Sequence, residues 1–147
     1  MLQLDLLKNY FAPNLWENIN QRKYLVKEYI QLMILDYLTT TTYIRKLTFI
    51  GGTNLRLVKG IDLFSEDLDF DCKNLSEKEF LRMTDNIITF LQRNGIVVEI
   101  RDKPNEKIKA YRRNIYFPEL LFELGLSGYK QERFLIKVEA QDQKIEY

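Results

Sequence analysis

The sequence predicts a single α+β domain, and three observations carry that reading. Apolar residues recur at three- and four-residue spacing over Gln21–Thr39 and Phe80–Leu91, the period of amphipathic helices. They alternate at every second position in Leu68–Cys72 and Phe134–Ala140, the period of strands. At 147 residues, with 46% hydrophobic and 29% charged residues, the chain is globular in composition and long enough to bury an ordinary core.

In chain order, residues 1–45 form an N-terminal helical segment and residues 46–140 a core. The first twenty residues, with Pro13 and Trp16, read as a short amphipathic stretch. The following helix places Leu25, Tyr29, Leu32 and Met33 on one side and ends in the poorly helical Thr39–Thr42 run. Lys46–Ile50 is expected as a buried strand and Asn54–Lys59 as a short helix that stops at Gly60. Leu68–Cys72 is a strand. Ser76 and Glu79 have capping-box spacing, and the helix they open carries Phe80, Met83, Ile87 and Leu91 to a stop at Asn94–Gly95. Ile96–Arg101, Tyr111–Phe117, Leu120–Leu126 and Phe134–Ala140 read as strands, with turns at Pro118 and Ser127–Gly128.

Composition excludes several chemistries. The chain contains no histidine, which removes Ser-His-Asp and Cys-His catalysis and His-ligated zinc. Catalysis would have to rest on carboxylates, lysines, hydroxyls and oxygen-ligated metal, which points to magnesium or manganese. The single cysteine, Cys72, excludes an internal disulfide, fits a reducing cytoplasm and reads as a small buried hydrophobe. No apolar run is long enough to span a membrane, and the first residues lack a secretory pattern. The net charge of +1 provides no global attraction to nucleic acid. Arg101–Arg113 is locally basic, with six basic against two acidic residues. That stretch reads either as a solvated hairpin or as a contact for nucleotide or RNA phosphates.

The stretch from Phe49 to Asp71 concentrates the chemistry. An apolar strand runs into Gly51-Gly52-Thr53, and Asp67, Asp69 and Asp71 alternate with Leu68 and Phe70. Strand geometry puts the three acids on one face. Adjacent carboxylates repel unless a cation neutralises them. Taken singly, a Gly-Gly turn is an ordinary tight turn and alternating aspartates an ordinary solvated edge. Together, on neighbouring strands, they read as a metal site beside a phosphate cradle. Farther on, Lys137 and Glu139 share one strand face, either as a surface pair or as a phosphate partner and a third ligand.

Strand, Gly-Gly-Thr, helix, Asp-Leu-Asp and a distant acid on a later strand resemble the polymerase β-type nucleotidyltransferase superfamily. Gly51-Gly52-Thr53-Asn54-Leu55-Arg56 with Phe64-Ser65-Glu66-Asp67-Leu68-Asp69 is similar to the AbiEii/AbiGii toxin family, and Lys137-Val138-Glu139 to its third motif. The resemblance implies a mixed sheet with helices mainly on one face, and transfer of an NMP group from an NTP to an acceptor hydroxyl. It implies RNA, tRNA first, as acceptor, a role as toxin in a toxin–antitoxin or phage-defence system, and a cognate antitoxin as partner. Gly51, Gly52, Thr53, Ser65, Lys137 and Arg56 would contact the nucleotide. Asp67, Asp69 and Glu139 would be the catalytic carboxylates and would hold two Mg²⁺ (or Mn²⁺) ions. Leu63 stands where the family usually has arginine, and the family's C-terminal helical region would be absent or truncated. The other readings are a non-catalytic nucleotide- or partner-binding module of the same fold, and a metal-dependent nuclease, against which the Gly-Gly-Thr cradle argues.

Overall fold

The computed structural model describes residues 7, 9, 11, 13–50, 67–102 and 110–142. Proline opens helix α1 (Pro13–Glu17), in the first turn, where backbone N–H groups have no intrahelical partner to lose. The long helix α2 (Ile19–Thr39) follows and ends where the threonines begin. The hydroxyls of Thr39, Thr40 and Thr41 donate to the carbonyls of Asp36, Tyr37 and Leu38 at 2.6, 2.6 and 2.7 Å. Those carbonyls belong to the last helical turn, where intrahelical partners run out. A 3₁₀ turn (Thr42–Lys46) then delivers the chain to strand β1 (Leu47–Ile50).

Strand β2 (Asp67–Cys72) has the alternation expected: Leu68, Phe70 and Cys72 are buried and the three aspartates are half-buried. Helix α3 (Glu77–Arg93) starts at the Ser76 cap. Ser76 Oγ accepts from the Glu79 amide at 3.1 Å, and Glu79 Oε1 accepts from the Ser76 amide at 3.3 Å. The other oxygen of Glu79 accepts from Lys46 Nζ at 2.6 Å, tying the helix start to the entry of β1. This bond, more than any other contact, holds the Glu79 carboxyl below its ordinary pKa. At the far end, the amides of Gly95 and Ile96 donate to the carbonyls of Gln92 and Leu91 at 3.0 and 3.1 Å. Gly95 has φ 78°, so this is a Schellman stop that favours glycine.

Strands β3 (Glu99–Ile100) and β4 (Tyr111–Tyr116), helix α4 (Leu120–Glu123) and strand β5 (Leu135–Asp142) complete the described elements. The sheet is mixed, in the order β1-β2-β5-β4-β3, with only β2 and β5 parallel. Its inner face contributes Leu68, Phe70, Ile115, Ile136, Val138 and Ala140 to a core shared with α2 and α3. Phe80 of α3 stacks on Tyr111 of β4, and Phe90 stacks on Tyr37 of α2, at 5.5 and 4.5 Å. This is the expected α+β class, with polar residues left on the opposite sheet face.

Four expectations change. The stretch Leu120–Leu126 is a helical turn: Leu120, Leu121 and Leu124 are buried at helical spacing, and Gly125 (φ 75°) ends it with a second Schellman pair. Strand β1 is not buried but lies at the edge of the described sheet, with Thr48 exposed and its neighbours half-buried. Of Ile96–Arg101 only Glu99–Ile100 pairs as strand, while Ile96 and Val98 fill the core. The inward stripe of α2 is Leu25, Val26, Ile30, Ile34 and Leu38, and Leu32 is exposed. Apolar residues occur on several sides of that helix, so periodicity permits more than one stripe. The expected helix at Asn54–Lys59 lies outside the described residues.

Ser76→Ala removes the cap and is expected to lower unfolding free energy by about 1 kcal/mol in urea denaturation. No loss would mean the Glu79–Lys46 contact alone fixes the helix start.

Candidate functional site

The open sheet face is built by register. Asp69 on β2 faces Glu139 on β5 across the parallel pair and Ile50 of β1 on its other side, and Glu139 in turn faces Arg112 on β4. One row therefore crosses four strands: Ile50, Asp69, Glu139, Arg112. The adjoining row contains Asp67, Lys137 and Asn114. Neighbouring strands are about 4.8 Å apart, so Asp69 and Glu139 are within direct reach. Three of the four described site residues read from sequence are acids, Asp67, Asp69 and Glu139, and the fold brings all three together. Lys137 shares their face and has no ion-pair partner among the described residues.

The electrostatics of this row are unbalanced. The Asp69 carboxyl is raised from 3.8 to about 6. Burial contributes most, followed by the charges of Asp67 and Glu139 and a hydrogen bond shared with Glu139, while the positive charge of Arg112 pulls the other way. Arg112 Nε donates to Glu139 Oε1, and both side chains are about three-quarters buried. Arg112 thus pairs with Glu139 and also acts on Asp69. As the side chains stand, no group of three acids or thiols among the described residues is arranged to hold a metal ion. The donor set is all carboxylate oxygen, the type that hard divalent cations take.

Arg112 is a site residue that the sequence did not single out. It lies within the basic stretch, beside Arg113, and nothing local distinguishes the two. Strand alternation separates them: Arg113 turns to the helix side, where Asp85 and Asp102 lie at 3.3 and 3.2 Å. Arg101 stacks over Tyr116 at 3.8 Å and pairs with Glu99. The three described arginines of the stretch are thus engaged within the domain, and Lys103, Lys107 and Lys109 lie outside the described residues. So do Gly51, Gly52, Thr53, Arg56 and Ser65. Ile50, which directly precedes Gly51 in the chain, is the register partner of Asp69.

Because the folded protein holds the Asp69 proton more tightly than the unfolded chain does, ionising Asp69 opposes folding. The penalty is absent below pH 3.8, grows as pH rises and is complete above about 6. Asp69→Asn in chelator-treated protein is expected to gain on the order of 1 kcal/mol at about pH 8, after discounting for solvent screening, and little at about pH 4. Equal effects at both pH values in urea denaturation would contradict the crowding of charge.

The family model for nucleotidyl transferase AbiEii toxin, of a type IV toxin–antitoxin system, matches residues 34–143. The matched span contains Asp67, Asp69, Arg112, Lys137 and Glu139. No curated protein matches the chain at a significant level.

Proposed function

The chain belongs to the AbiEii nucleotidyl transferase toxin family of type IV toxin–antitoxin systems, and on that premise we propose that it transfers an NMP group from an NTP to an acceptor hydroxyl in a Mg²⁺-dependent reaction. The observation that carries the reading is the Asp69–Glu139 register, which sets two like charges face to face beside Asp67. Folding alone gives no reason to gather them.

In this reading Asp67, Asp69 and Glu139 hold Mg²⁺ or Mn²⁺, two ions in all. When bound, such ions neutralise charge on the phosphate oxygens and make the attacking hydroxyl more acidic. The acceptor oxygen attacks the α-phosphorus, the bond to the β-phosphate oxygen breaks, and pyrophosphate leaves. Glu139 lies on the side of the acid row away from β1 and takes the hydroxyl proton. Arg112 holds the Glu139 carboxylate in place by its Nε hydrogen bond. Lys137, one row along the same face, contributes positive charge to the triphosphate. Gly51, Gly52 and Thr53, which follow β1 in sequence, would cradle the terminal phosphates, with Ser65 and Arg56 assisting. RNA is the proposed acceptor, tRNA first, and a cognate antitoxin the proposed partner. The alternative, a nucleotide-binding module without turnover, draws on the engagement of Glu139 with Arg112.

Incubation with each labelled NTP, Mg²⁺ and total tRNA tests these readings on one gel. Lengthened, labelled RNA is expected. Shortened RNA would indicate a nuclease, and NTP binding without labelling a non-catalytic module. Glu139→Gln is expected to reduce kcat by about 100-fold or more with little change in NTP affinity. Parallel losses in both would contradict its role at the hydroxyl.

A further inference from the structure

Beyond the acids, the same sheet face runs into a half-open cleft of about 300 Å³ lined by Arg101, Asn114, Tyr116, Arg133 and Leu135. Tyr116 is 8% exposed, and the Arg101 guanidinium carbon lies over its ring at 3.8 Å, with 59% of the Arg101 side chain exposed. Arg133 has neither an ion-pair nor a hydrogen-bond partner among the described residues. Asn114 is 93% buried, being 7% exposed. Its Nδ2 donates to the Arg101 carbonyl at 3.1 Å, which fixes the orientation of the amide. Its Oδ1 is buried with no hydrogen-bond partner among the described residues. Buried acceptors are rarely left unmet, so one facing a cleft calls for a partner such as a bound water or ligand.

We infer that this cleft is a nucleotide subsite for the end of a single-stranded polynucleotide acceptor. A base stacks on the Arg101 guanidinium, a base N–H donates to Asn114 Oδ1, and the adjoining phosphate pairs with Arg133. Position within the sheet favours the acceptor over the NTP, an argument that rests on the transfer reading above. The triphosphate is proposed next to β1, the acids stand on β2 and β5, and the cleft opens on β4, on the far side of the acids. Asn114 faces Lys137, two residues along β5 from Glu139. Strand spacings put it about 8 Å from Glu139, roughly one nucleotide's length from the proton-accepting group.

The test is fluorescence anisotropy with a labelled single-stranded RNA of about 12 nucleotides carrying a free 3′ hydroxyl, over a range of salt. Arg133→Ala is expected to weaken RNA binding about 5- to 10-fold and to reduce the salt slope by about 0.7, with NTP affinity unchanged. Asn114→Leu, which keeps volume and removes the unmet acceptor, is expected to fold normally and lose about 10-fold in RNA affinity. RNA affinity at wild-type level in both variants would overturn the subsite and point to a protein acceptor. A loss of NTP affinity instead would reassign the cleft to the donor. RNA binding that depends on Arg133 and Asn114 in a chain that transfers nothing would support the subsite and overturn the transfer reading alone.

Discussion

The parallel pairing of β2 with β5 is the constraint from which the rest follows. It sets Asp69 opposite Glu139 and Asp67 opposite Lys137. It also joins strands that are distant in sequence, so the chain must cross over between them, and α3 is part of that crossover. Pleating then sorts the side chains. Leu68, Phe70, Ile136, Val138 and Ala140 go to the helices, and the acids are forced onto the opposite face. A one-residue slip of either strand would bury the carboxylates and expose the core, so the hydrophobic face holds the charged row in register.

That coupling explains how an unfavourable arrangement persists. Like charges across neighbouring strands oppose folding, and Asp69 answers by holding its proton to about pH 6. Arg112 relieves Glu139 and only partly offsets the charge felt by Asp69. Burial of the inner face exceeds this local penalty, which concentrates negative charge where a transfer enzyme of the family would use divalent cations. The same face changes character along its length, from carboxylates beside β1 to guanidiniums and an amide beside β4.

Much of this was legible in local sequence. Alternation in Asp67–Cys72 and in Phe134–Ala140 placed the acids and Lys137 on strand faces, and Ser76 with Glu79 marked the start of α3. The motifs around Gly51 and Asp67 identified the family, and the family resemblance implied the mixed sheet with its helices on one side. What escaped were facts of pairing and context. Arg112 and Arg113 are neighbours with opposite surroundings, and only the register with β5 distinguishes them. Leu120–Leu126 is too short an apolar run to declare its period, although Gly125 offered the helix-stop signal that Gly95 also gave. Cross-strand neighbours such as Asn114 and Lys137 have no local signature at all.

The central claim is that the acid row is a cation site held in tension by the fold. The most direct measurement is an NMR pH titration of the Asp69 carboxyl, run without and then with Mg²⁺. An apparent pKa near 6 without the ion, falling toward the ordinary carboxylate range when Mg²⁺ is added, is the result this account predicts. An ordinary value that Mg²⁺ leaves unmoved would contradict it.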